Sequence, residues 1–172
     1  MTLVQKLKLW IDNNGGVTLS NAFKFAQEAH LGKFRNDGVT EYYTHPCSVA
    51  LRAISYHTSE KIKDLKLFNI IILCMFHDVI EDTSVTYADI ETFLISENVS
   101  NDDIQIIIAA LRLLTKDKLN KKTNVQYYLD IKTNKYASFV KTFDMIDNIS
   151  DTPTSYMIKK YSIGLNILNG TK

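Results

Sequence analysis

Proline is scarce in this chain, with two in 172 residues, and no repeat or low-complexity stretch interrupts it. Helices are therefore free to run at length, and no proline-rich linker divides the sequence. Long apolar runs are also missing. The longest, Ile70 to Phe76, is too short to cross a bilayer, so no membrane partner is expected. The segment Met1 to Trp10 intersperses Lys6 and Lys8 among spaced apolar residues and does not read as a secretory signal. Cysteine is limited to Cys47 and Cys74, both in apolar stretches and far from any Cys-x-x-Cys spacing. That usage fits reduced, buried thiols in a cytoplasmic protein. Charge of one sign is lacking too: Lys+Arg 20 against Asp+Glu 19 leaves a net +1. Such a balance gives no overall electrostatic attraction to nucleic acid or an anionic membrane. A local basic pocket for a small phosphorylated ligand stays open, because that needs only a few charges.

What is present is helical periodicity almost throughout, in a chain whose length suits a single domain over 1–172. Leu3, Leu7, Trp10 and Ile11 share one face of a first helix, which Asn13-Asn14-Gly15-Gly16 ends. Leu19, Ala22, Phe23 and Ala26 outline a second. Gly32 to Thr44 is polar and reads as a loop, and His45-Pro46 then opens a helix to about His57. Leu65 to Ile80 is apolar nearly all round and belongs at the centre. Thr86 with Asp89 forms a capping box for a short helix to about Ser96. Helices are expected over Asp102 to Thr115 and, after a lysine-rich loop, over about 123–133, 135–150 and 153–169. Ile106-Ile107-Ile108 alone would suit a strand, but its Ala-Ala-Leu-Arg-Leu-Leu continuation favours helix. The expectation is an all-α bundle of about eight or nine helices. The alternative is α+β with a short hairpin within 32–44.

Chemistry concentrates in Phe76-His77-Asp78-Val79-Ile80-Glu81-Asp82-Thr83, at the end of the most apolar helix. Ionisable groups beside a core are costly unless they pair or bind a metal. One reading is a metal-binding segment; the other is a solvated helix end with His77 set against the helix dipole. His45, at a helix start after a polar loop, reads by itself as a cap. Asp144 and Asn148 are four apart, flanking the stripe of Val140, Phe143 and Ile146, with Asp147 close by. Together, a His, a His-Asp pair and a distant Asp on three helices make an N₂O₂ donor set. Mixed imidazole and carboxylate donors suit Mn²⁺, Fe²⁺ or Zn²⁺ better than Ca²⁺.

The order His…His-Asp…Asp resembles the HD phosphohydrolase superfamily, and the fuller pattern resembles the hydrolase domain of the RelA/SpoT family. The stretches that carry it are Ala26-Gln-Glu-Ala-His-Leu-Gly-Lys-Phe-Arg35, Asp37-Gly38, Tyr43-Thr-His45-Pro46 and Val49-Ala50. It continues through His77-Asp-Val-Ile-Glu-Asp-Thr83, Leu114-Thr-Lys116 and Val140-Lys141 to Asp144 and Asn148, spanning about residues 20–152. The resemblance implies a stand-alone alarmone hydrolase that removes the 3′-pyrophosphate of ppGpp and pppGpp. It further implies that His45, His77, Asp78 and Asp144 hold a divalent metal, Mn²⁺ foremost, while Glu81 and Asp82 orient the attacking water and handle its proton. Arg35 then packs on the nucleobase, Asn148 contacts the nucleoside, and Lys116 with Lys118 lies near the phosphates. The implied partner is a small nucleotide. Departures fall in the substrate pocket: a longer loop from Gly38 to His45, Asn36 and Asp37 after Arg35, Met145 after Asp144, and Ser150 and Asp151 past Asn148. They leave two other readings: an HD enzyme for a different nucleotide, and a catalytically silent nucleotide-binding module.

Overall fold

In the computed structural model, which describes residues 1–116 and 122–170, the chain folds into helices joined by short turns. They are α1 (Leu3–Asn14), α2 (Gly16–Ala29), α3 (Thr44–Ser59), α4 (Leu67–Phe76) and α5 (Val79–Asp82). Then come α6 (Tyr87–Ser96), α7 (Asn101–Leu114), α8 (Asn124–Lys132), α9 (Lys135–Ser150) and α10 (Ser155–Asn169). The all-α expectation holds, with the four-residue α5 as an added single turn.

Local chemistry explains most of the boundaries. Thr2 caps α1 in a reciprocal box with Gln5, and Thr86 caps α6 in the box with Asp89 read from the sequence. Ser100, Thr123, Asn134 and Thr154 each accept a backbone N–H at the start of α7, α8, α9 and α10. Such side chains satisfy amide donors that have no partner in the first helical turn.

The central element is α4, buried along its length from Asn69 to Phe76 and packed against α2, α3, α7 and α9. An element apolar on every side is stable only where other helices cover it completely. The helix expected from Leu65 to Ile80 does not run through, however. It breaks into a turn at His77 and Asp78 before α5. The break lets the ring of His77 reach back to the Cys74 carbonyl at 2.8 Å.

Residues 30–43 form a tight loop with one isolated antiparallel bridge, Phe34 to Glu41, and no strand. The carboxylate of Asp37 accepts the amides of Val39 and Thr40 and the Thr40 hydroxyl, at 2.9, 2.8 and 2.5 Å. These bonds, the Thr40 hydroxyl foremost, hold the Asp37 carboxyl down at about 2. Gly38 turns the chain at φ +71°, a conformation glycine adopts without strain. The loop thereby delivers Tyr42 and His45 to the bundle in fixed positions.

Helix α10 packs against α8 and α9 through Gly164. A Cβ there would lie 2.5 Å from the Met145 sulfur and 2.7 Å from the ring of Tyr128. In an exposed helix, Gly→Ala gains about 1 kcal/mol from propensity. Here overpacking reverses the sign, so Gly164→Ala should lower the unfolding free energy by about 1–3 kcal/mol. Urea denaturation followed by circular dichroism measures it; an unchanged or higher midpoint would show that the contact is loose.

Candidate metal centre

Three separate elements bring four donors to one point. His45 is the second residue of α3, His77 and Asp78 form the turn after α4, and Asp144 lies in the middle of α9. One donor atom from each lies within 4.8 Å of the others. His45 Nε2 is 3.0 Å from Asp144 Oδ1 and 3.6 Å from Asp78 Oδ2. His77 Nε2 is 3.0 Å from Asp78 Oδ2 and 3.6 Å from Asp144 Oδ1. Both imidazoles and Asp144 are buried, while Asp78 keeps 19 % of its side chain exposed and so faces the open side.

Each donor residue has a further partner that fixes it. His45 Nδ1 lies 2.7 Å from Asp147 Oδ2, and His77 Nδ1 lies 2.8 Å from the Cys74 carbonyl oxygen. The Tyr42 hydroxyl donates to Asp78 at 2.6 Å. Asn148 donates to Asp144 Oδ1 at 2.6 Å, and the Lys141 ammonium sits 2.5 Å from Asp144 Oδ2. Outer partners of this kind fix ligand orientation and tune metal affinity. Buried His77 Nε2, by contrast, has no hydrogen-bond partner. A buried ring nitrogen of that sort, aimed at two carboxylates and a second imidazole, fits a metal donor.

The electrostatics match. Burial disfavours charge on both imidazoles, yet hydrogen bonds to Asp144 and Asp147 hold the pKa of His45 above its ordinary value. The Asp78 and Asp144 carboxylates hold that of His77 well above. Burial would likewise raise Asp144, but the Lys141 ammonium and the two imidazoles keep its carboxyl well below the usual range. A divalent cation among these donors would displace the shared protons.

The cluster forms the floor of an open cavity of about 230 Å³. On its walls are Glu81 and Asp82 from α5, Arg35 from the loop, Lys116 after α7, and Asn148 from α9. Every site residue expected from the sequence thus lies in or directly under one cavity, with Lys118 outside the described residues. Two of these side chains also bond within the protein. Arg35 makes a two-pronged ion pair with Asp151, at 2.8 and 3.2 Å, and Asn148 is bonded to a ligand carboxylate.

Comparison with known proteins follows the same line. Over 91 residues, 52% of this chain, the sequence is 32% identical to SpoT of Escherichia coli K12, a bifunctional (p)ppGpp synthase/hydrolase. The guanosine-3′,5′-bis(diphosphate) 3′-pyrophosphohydrolases of Escherichia coli O157:H7 and Shigella flexneri match to the same extent. The matched part is 12% of the length of each of these relatives. A metazoan ortholog of SpoT, described as hydrolysing ppGpp and acting in starvation responses, superposes with a TM-score of 0.69. The superposition covers 91% of this chain and 88% of that one at 21% identity. This chain has the fold of that SpoT ortholog. No family model matches it. The resemblance read from the motifs therefore stands on both sequence and structure.

Seen against that SpoT-like fold, several residues around the cavity went unassigned in the sequence. Tyr42 donates to the Asp78 carboxylate, and Asp147 stands behind His45. Lys141 is buried with its ammonium on Asp144, and Tyr161 of α10 lines the cavity. Burial and the nearby Lys116 and Lys141 charges bring the Lys160 ammonium down to about 8. The spacing of Lys141, Asp144 and Asn148, three and four apart on α9, was the available signal for a shared face.

Proposed function

We propose that the chain hydrolyses the 3′-pyrophosphate of ppGpp and pppGpp with a divalent metal, Mn²⁺ foremost, as a cytoplasmic enzyme of small nucleotides. The observation that carries this reading is the group of two imidazoles and two carboxylates under an open, charged cavity walled by Glu81 and Asp82. Support comes also from the fold shared with a ppGpp-hydrolysing protein and the sequence similarity to SpoT. No helix among the described residues is long and apolar enough to span a membrane, in keeping with a water-borne substrate.

A bound cation supplies Lewis-acid polarisation of the phosphoryl oxygen and makes water acidic enough to attack near neutral pH. His45, His77, Asp78 and Asp144 would hold it. Glu81 orients the attacking water and takes its proton, with Asp82 beside it. The water oxygen bonds to the phosphorus nearest the ribose, the 3′ O–P bond breaks, and the 3′ oxygen leaves with the proton that Glu81 and Asp82 took from the water. Lys116 and Lys141 offset the growing negative charge. Arg35, fixed by Asp151, forms the cavity edge where the nucleoside enters.

The test is pyrophosphate release from ppGpp by the purified chain, with Mn²⁺ and with chelator. Release that needs Mn²⁺ and leaves GDP is expected. The Arg35–Asp151 pair favours a second reading, hydrolysis of another nucleotide, since that arginine is already engaged. Failure on ppGpp by protein that binds Mn²⁺, with turnover of a non-guanine nucleotide, would replace the first reading by the second. Nucleotide binding without turnover of any nucleotide would point to a silent module.

A further inference from the structure

The two histidines of the metal centre are anchored by different chemistry. Behind His77 stands a neutral backbone carbonyl, that of Cys74. Behind His45 stands a carboxylate, Asp147, itself buried. Its second oxygen accepts the Ser48 hydroxyl and, at 3.3 Å, the Arg52 Nε–H. Arg35 Nη2 lies 4.0 Å from the first. With donors arranged around both oxygens, Asp147 is a pure acceptor, so His45 Nδ1 must carry the hydrogen. That leaves the Nε2 lone pair directed at Asp144 and Asp78, as a metal ligand requires.

We propose that Asp147 is a positioning residue: it fixes His45 as an Nε2 ligand and strengthens its donation to the metal, with Ser48 and Arg52 holding the carboxylate in place. This rests on the metal-centre reading given above. Asp147 touches neither the metal nor the substrate. It sits on α9 one turn below Asp144, so one helix supplies both a ligand and the group that orients another ligand on α3. A carboxylate that accepts from a ligating imidazole raises its basicity more than a carbonyl does. His45 should therefore be the more sensitive of the two histidines to loss of its partner.

The experiment titrates Mn²⁺ into the wild type, Asp147→Asn and Asp147→Ala, following free Mn²⁺ by its electron paramagnetic resonance signal. Asp147→Asn, which keeps the shape and loses the charge, should bind about 10-fold more weakly, and Asp147→Ala up to about 100-fold. Nitrogen-15 spectra of the Zn²⁺-loaded proteins should show a single Nδ1–H tautomer of His45 in the wild type and its loss in Asp147→Ala. Urea midpoints in chelator separate this from a folding defect, which would lower stability without changing the affinity of the folded fraction. If Asp147→Ala is too unstable to study, Asp147→Asn and Ser48→Ala carry the test. Wild-type Mn²⁺ affinity in folded Asp147 variants would overturn the role while leaving the hydrolase reading intact. Failure of the wild type itself to bind Mn²⁺ would overturn the centre and this role together.

Discussion

Asp144→Ala should abolish turnover and metal content together. The carboxylate is the hub of the cluster: Oδ1 lies 3.0 Å from His45 Nε2 and 3.6 Å from His77 Nε2, and Oδ2 pairs with Lys141 at 2.5 Å. Its removal takes away one of two anionic donors, so the remaining set neutralises only half the charge of a divalent cation. It also leaves the Lys141 ammonium, 9 % exposed, beside the site without its ion-pair partner. A cation would then be repelled where it was held. The metal's contribution to transition-state charge is several kcal/mol, which at 1.36 kcal/mol per decade is about 10³-fold or more in kcat/KM. Stability falls as well, because breaking a buried ion pair by removing one partner costs about 3–5 kcal/mol. Asp144→Asn is therefore the informative companion, retaining an acceptor for Lys141 while losing the negative donor. Bound metal by elemental analysis and pyrophosphate release from ppGpp are measured on the same samples. Near-normal activity in either folded variant would mean that the centre is elsewhere.

That hub position was only half legible in the sequence. The helical class and most helix ends were readable, because periodicity and side-chain caps act locally. Thr86 and Asp89 form the expected box, and Val140 and Phe143 are buried where the spacing put them, whereas Ile146 is only half-buried and the flanking Asp144 and Asp147 are buried instead. The four ligands were legible through the motif resemblance rather than through local rules, since His45 alone looks like a cap. What local rules could not show is where order is imposed by packing. The apolar pattern continues smoothly past Phe76, so nothing in it marks the break at His77 and Asp78. That break places the His77 ring on the Cys74 carbonyl and turns both residues toward donors on α3 and α9. Asp147 and Lys141 look like ordinary flank residues until α3 is packed against α9. The same holds for Tyr42, whose hydroxyl reaches Asp78 only because the Asp37 turn folds the loop back. The pairing of Arg35 with Asp151 joins residues 116 positions apart, beyond any local pattern.

Glu81→Gln should separate what Asp144→Ala removes at once, keeping the metal and losing the rate. Glu81 lies on α5, beyond the break that sends the chain away from the ligand cluster, and lines the cavity rather than its floor. One of its oxygens accepts the backbone N–H of Lys116 at 3.2 Å, tying α5 to the segment after α7. Glutamine has the same length and can still accept that N–H through its amide oxygen, so α5 should stay in place. It cannot take a proton from water. Loss of a positioned proton acceptor typically costs about 10²–10⁴-fold in turnover. The fall should appear in kcat, with KM for ppGpp and Mn²⁺ affinity close to wild type, because neither the cation donors nor the cavity edge is altered. Pairing the two variants makes the assignment strict. A metal-free Glu81→Gln would place Glu81 among the ligands, and a fully active one would pass the proton to Asp82, to be tested by Asp82→Asn in the same assay.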